Sequence, residues 1–210
     1  LQGAIGWIMV KSGLVPEKYF VGHVELATHF VAALGLLVYT LWFALRLLVP
    51  EQQSIQSPAL KKFTVALLLL LFVQLCYGGF MAGLRAATVA PTWPTINGEW
   101  FPASLFNERG PANLVNNPFM VHFIHRGLAY LIVILIIGWF ISIQKTALSP
   151  WLHKTKILPL VLVLAQVLLG ICTVLYSASA TALVWFGVLH QFTAMLLLVS
   201  LVWVLYLVRK

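Results

Sequence analysis

VHFIHRGLAYL, residues 121–131, places two histidines and an arginine at the mouth of a segment otherwise apolar enough to cross a bilayer. Polar and ionisable groups are expensive inside hydrocarbon and mark a functional site where they occur. The stretch therefore identifies a membrane helix and, on it, the polar side chains that need explaining.

The rest of the chain is equally apolar. Of its 210 residues 61% are hydrophobic and only 9% are charged, and the mean hydropathy is +0.97, which leaves too little polar surface to cover a water-soluble globule. Apolar runs cover about residues 24–49, 63–84, 119–143, 157–176 and 182–208, behind a shorter opening run. Runs of roughly 20 residues suit helices crossing about 30 Å of hydrocarbon, and the alternation of an outer-membrane barrel is missing. The expected fold is all-α, a polytopic membrane bundle of five complete transmembrane helices and an amino-terminal partial one. Because LQGAIGWIMVKSGL reads as the end of a membrane helix already under way, an upstream hairpin carrying a further histidine is expected.

The formal net charge of +8 resides in short loops and forms no patch interleaved with aromatics. It signals topology and contact with lipid headgroups, and no nucleic-acid partner. Arg46, Lys61, Lys62, Lys145, Lys154, Lys156, Arg209 and Lys210 fall on one side, opposed by Glu51; Lys11, Lys18, Arg85 and Arg109 fall on the other, offset by Glu17, Glu99 and Glu108. The first side is expected to be cytoplasmic, or matrix in a mitochondrion. Cys76 and Cys172 lie inside apolar runs, where packing is expected and a disulfide is not.

A repeat runs through the chain. Gln2-x3-Gly6, Gln74-x3-Gly78 and Gln166-x3-Gly170 occupy the odd-numbered runs, and each is followed by a run with His-x3-Ala: His29 with Ala33, His125 with Ala129, His190 with Ala194. The unit is a helical hairpin, and two hairpins make a four-helix bundle. Residues 63–210 are expected to form one such bundle, residues 1–50 the latter part of another, and residues 51–62 a linker between them.

Two imidazoles facing each other from different helices, with apolar walls and small residues around them, suit the axial ligation of a haem. His125 and His190 are the expected ligands, since Ala follows His125 by four whereas Arg126 follows His122. Gln74 and Gln166 are either second partners of the imidazoles or hydrogen bonds between helices. Arg126 is a candidate for a haem propionate, with snorkelling to headgroups as the alternative. His122 faces a propionate or solvent or caps its helix, His23 is read as interfacial, and His153 as solvated. In APTWPTINGEWFP, residues 90–102, Trp93, Trp100 and Phe101 read either as an ordered lid or as an interfacial aromatic belt.

QGAIGWIMVKSGL, ELATHF, GGFMAGLRAATVAPTWPTINGEWFP, HFIHRGLAYL and LHQFTAMLLL, in this order, resemble the haem A synthase family over essentially the whole chain. The resemblance implies an eight-helix protein of two similar halves. It implies a b-type haem held by His125 and His190 in the carboxy-terminal half, and an amino-terminal half that oxidises a methyl of haem O to formyl, giving haem A for terminal oxidases. His29 falls at the second histidine of that active half, as a metal-binding and catalytic position. The family's first active-half histidine and its catalytic glutamate would lie upstream of Leu1, and Glu25 does not match that glutamate. The loop cysteines of some bacterial members are absent, so the chain is more similar to the proteobacterial and mitochondrial branch. Haem O synthase is the implied substrate donor, the electron donor is unspecified, and self-association is left open. The implied location is a bacterial cytoplasmic or mitochondrial inner membrane, with the histidines toward its outer side. The rival readings are a diheme b-type membrane electron carrier and a haem-free assembly subunit.

Overall fold

The computed structural model describes residues 1–209, and Lys210, one of the loop cations named above, lies outside the described residues. Nine helices order the described chain: α1 Gln2–Lys11, α2 His23–Leu48, α3 Pro58–Gly83, α4 Ala86–Val89, α5 Asn113–Asn116, α6 Pro118–Ile143, α7 Pro150–Thr155, α8 Leu158–Leu175 and α9 Ala180–Leu207. Five helical stretches, with α7 and α8 counted as one, are long and apolar enough to cross a membrane. The protein is an all-α, multi-pass membrane protein.

Local sequence sets the helix starts. Pro58, Pro118 and Pro150 open α3, α6 and α7, where a missing N–H is no loss. Asn117 caps α6 by accepting from the Phe119 N–H, and Ser149 and Ser179 cap α7 and α9 in the same way. The stretch expected as a linker over 51–62 holds a 3₁₀ turn, Glu51–Gln53, and α3 begins within it.

α3, α6, α8 and α9 form a four-helix bundle in which α6 packs on α3 and α8, and α9 packs on α8 and α3. α6 and α9 are therefore diagonal partners. The inner end is closed by Ile136, Trp139, Ile143, Leu201, Val204 and Leu207, all fully buried. Within it the Trp139 indole donates to Thr64 Oγ1 at 3.0 Å, and Trp151 stacks on Trp203 with ring centres 5.7 Å apart. Toward the outer end the tight packing stops: α9 buries no residue before Ala194, and α6 buries none between His122 and Ile132. His125 and His190 lie in this more open region.

α2 lies against α3 from the other side, with α1 against α2. The approach of α2 and α3 rests on Gly79 and Gly83, where an added Cβ would stand 2.7 Å from Ala27 Cβ and 2.6 Å from His23 Cα. Small residues at this spacing let helices in a membrane come into backbone contact.

Gly79→Ala is expected to destabilise the protein by about 1–3 kcal/mol through overpacking. Gly127→Ala, on α6 with open space around it, is expected to be neutral or to stabilise by up to about 1 kcal/mol. Thermal unfolding in detergent, compared with the parent chain, checks both.

Candidate haem site

Each repeat unit folds as a hairpin in which the glutamine and glycine of one helix receive the histidine of the next. On α8 and α9, Gln166 Nε2 lies 3.2 Å from His190 Nε2, and His190 Nδ1 donates to the Gln166 carbonyl at 3.0 Å. Between α3 and α6, Gln74 Nε2 lies 3.4 Å from His125 Nε2. Between α1 and α2, Gln2 Nε2 lies 3.2 Å from His29 Nδ1 and donates to the His29 carbonyl at 3.0 Å. The spacing in the sequence is thus a physical docking pattern, repeated in all three hairpins.

The α3–α6 and α8–α9 hairpins bring their imidazoles together. The rings of His125 and His190, carried by the diagonal helices α6 and α9, have centroids 6.4 Å apart and planes inclined at 68°. A metal–imidazole bond is about 2 Å long and the ring centre lies about 1.1 Å behind the bonded nitrogen, so imidazoles on opposite sides of one metal have centres about 6.2 Å apart. The separation fits.

The donor set narrows the metal further. Among the described residues no three His, Cys, Asp or Glu side chains converge as a metal cage. A pair of imidazoles suits an iron whose other ligands come from a porphyrin. His125 Nδ1, Gln74 Oε1 and Gln166 Oε1 are buried around this pair without a hydrogen-bond partner, which is costly for side chains without a ligand-related task. Val133, Ile134, Leu164, Val167, Leu168 and Ile171, with Tyr130, line an open apolar groove of about 420 Å³ between α6 and α8, apart from both histidines. The imidazole pair and the unpartnered atoms around it fit a haem.

Arg126 has a different set of partners from the one its sequence position suggests. Its Nε donates to His122 Nε2 at 2.9 Å, Nη1 to the carbonyls of Pro94 and Thr95 at 3.2 and 2.9 Å, and Nη2 to those of Ala90 and Thr92 at 3.5 and 2.6 Å. All five guanidinium donors are thereby engaged. His122 is 1% exposed and serves as an acceptor for this arginine; it meets no solvent. The loop so held is ordered: Ala90, Ile96 and Leu105 form a small core against Phe119, Met120 and Phe123, and Trp93 donates to the Tyr130 hydroxyl at 3.1 Å. Asn117 joins it to α6 through the carbonyls of Ser104 and Leu105 and the Asn113 side chain.

Other histidines stay apart. His23 is bonded to Asn116 Oδ1 at 3.1 Å and ties α2 to the outer loop, while His153 is exposed. Cys76 and Cys172 are free and half-buried. Sequence reasoning missed the loop carbonyls that receive Arg126 and the buried pair Asn113 and Asn117. An asparagine directly before Pro118 is a helix-start signal that points to Asn117; the carbonyls carry no residue signature.

Residues 1–202 match the COX15-CtaA family, cytochrome oxidase assembly proteins. A haem A synthase of Rhizorhabdus wittichii is 38% identical over 205 residues, covering 97% of this chain and 56% of the relative. One of Flavobacterium psychrophilum is 34% identical over 212 residues, covering 100% and 61%, and one of Paracoccus denitrificans is 35% identical over 183 residues, covering 84% and 48%. The chain thus spans between about half and three fifths of the length of these relatives.

Arg126→Lys is expected to loosen residues 90–95, because an ammonium cannot reproduce the planar fork. Loss of a single charge-assisted bond of about 1.5 kcal/mol raises the open population about tenfold. Amide hydrogen exchange across the loop measures this, with Arg109→Lys, a change at an exposed loop residue, expected to have no effect.

Proposed function

Because the chain belongs to the COX15-CtaA family of cytochrome oxidase assembly proteins, we propose that it carries the haem b half and part of the substrate half of a haem A synthase. The observation that supports this most is the 6.4 Å approach of His125 and His190 across the bundle. His125 and His190 would hold haem b, whose iron would supply single-electron transfer. The substrate is haem O, one of whose ring methyls is oxidised to formyl in successive steps, and haem A is the product.

In this reading the chain's own residues divide the work. His125 and His190 offer ring nitrogens, the Gln74 and Gln166 amides occupy their Nε2 atoms at 3.4 and 3.2 Å and would yield them to a metal, and the closed inner core excludes water from beneath the rings. His29 belongs to the substrate half as a metal-binding and catalytic position. Its support is that its ring lies against Gly6 as that of His190 lies against Gly170, with a glutamine amide on a ring nitrogen in both, Nδ1 in His29 and Nε2 in His190. Arg126 contributes to cofactor binding through the outer loop it holds, and by pairing with a propionate where it exchanges a carbonyl for that group. The domain reading is residues 1–50 for the substrate half, 51–62 for the connection and 63–210 for the haem b half. The distribution of loop cations supports an inner side at the Arg46, Lys61 and Lys145 ends, in a bacterial cytoplasmic or mitochondrial inner membrane. The surrounding bilayer is the one partner that the helices themselves require; haem O synthase is the proposed substrate donor.

His125→Ala and His190→Ala are each expected to abolish the low-spin bis-imidazole absorbance of the purified full-length protein, and His153→Ala to leave it unchanged. Retention of the parent spectrum by both ligand variants would reject the assignment. Extraction of the pigments separates the activity from simple electron carriage: haem O or haem A beside haem b supports the synthase, and haem b alone supports the carrier.

A further inference from the structure

The two imidazoles at the centre of the bundle are not held alike. In an α-helix the Cβ of a residue leans over the turn that precedes it, and so covers the carbonyl four residues earlier. Gly170 stands four residues after Gln166 and leaves that carbonyl open. A Cβ there would lie 2.9 Å from His190 Cε1, 3.4 Å from Nδ1 and 3.7 Å from Nε2. The ring occupies the notch and donates from Nδ1 to the Gln166 carbonyl at 3.0 Å.

A carbonyl can only accept, so this bond fixes the proton on Nδ1 and leaves the lone pair on Nε2. The carbonyl has a second lone pair for this bond beyond its helical one, and its place in α8 does not rotate. On α3 the corresponding glycine is less intimate. A Cβ at Gly78 would meet His125 Cε1 at 3.6 Å, an ordinary contact, and His125 Nδ1 is buried without a partner. The rotatable Gln74 amide reaches that ring at 3.4 Å, and the Gln74 backbone acts on it more loosely, short of a hydrogen bond of good geometry.

We propose that Gly170 is the positioning residue of the pair: by uncovering the Gln166 carbonyl it makes His190 the anchored axial ligand and leaves His125 the adjustable one. The assignment rests on the haem b reading given above. Gly6 offers His29 a notch of the same shape, with a Cβ 2.9, 3.4 and 3.6 Å from Cε1, Nδ1 and Nε2, but there Nδ1 meets the Gln2 side-chain amide at 3.2 Å, so among the three repeat histidines the bond to the helix carbonyl is made by His190. Bonds to the non-ligating nitrogen of a metal-bound histidine are worth about 10–100-fold in metal affinity.

The test uses the full-length protein in detergent, loaded with haem b, and reads visible spectra, haem retention on washing and reduction potential. Gly170→Ala is expected to lose the low-spin signature or to retain haem about 10–100-fold more weakly. Gly127→Ala, on α6 with open space around it, is expected to keep both. Wild-type spectra and retention in Gly170→Ala overturn the proposal. So does a loss in Gln166→Ala larger than that in Gly170→Ala, which transfers the anchoring to the side-chain amide. Selective ¹⁵N-histidine NMR of haem-depleted wild-type protein gives a reading independent of any variant's folding. A slowly exchanging Nδ1–H at His190 supports the notch, and an Nε2–H tautomer overturns it. A wild type with no bis-imidazole signature rejects the haem b reading instead, and the NMR result then stands by itself.

Discussion

Bringing His125 and His190 to 6.4 Å in the middle of an apolar bundle is the constraint to which the surrounding packing answers. Imidazoles in hydrocarbon require polar partners, and the neighbouring helices supply one glutamine to each ring. A ring seated closely against a helix also needs a place where that helix has no side chain, and Gly170 provides it for His190, while His125 stands at ordinary contact distance from Gly78. The inner half of the bundle bears the opposite demand. Its large aliphatic side chains, with Trp139 tied to Thr64, close it completely, and this rigid end fixes how far apart the diagonal helices stand where the histidines meet.

α3 is a wall shared by two compartments. Neighbouring positions on a helix point about 100° apart, and Gly78 and Gly79 divide accordingly: the first faces His125 and the second lies against Ala27 of α2. The same helix turn therefore shapes the imidazole site and sets the distance to the hairpin that carries His29. A displacement of α3 cannot be confined to one of them. Trp42 of α2, edge-on to Tyr206 of α9 at 5.1 Å, repeats this connection near the inner end, so α2 is braced against the bundle at both depths.

The helices were readable in the sequence because their signal is long and redundant. Five apolar runs and the loop charges between them point to one architecture, and observed ends differ from expected ones by a residue or two except at α3, which starts earlier at Pro58. The Gln-x3-Gly and His-x3-Ala echo was equally visible, since spacing fixes which residues share a helix face. What filled the space beside each glycine was not. Sequence suggested room for a bulky ligand, whereas an imidazole lies directly against it, because identity and spacing alone do not say which atoms from another helix occupy a gap. The partners of Arg126 were hidden for a related reason: carbonyls from Ala90 to Thr95 are offered by backbone conformation, which leaves no trace in residue type.

Those carbonyls give the outer loop a defined place in the chemistry of the site. Arg126 is the residue after His125, and its five donors are all committed, four to the loop and one to His122. A guanidinium has no further N–H to offer, so an anionic group that approaches it must displace a carbonyl. The gain is an exchange of a neutral acceptor for a charged one, which strengthens the bond, and the cost is a loosened segment of loop. The other anchors of the loop do not depend on the guanidinium. Asn117 and its neighbours hold residues 104–113, and Trp93 holds to Tyr130. Any rearrangement driven from Arg126 therefore falls on residues 90–95, within which Trp93 keeps its own hold on Tyr130.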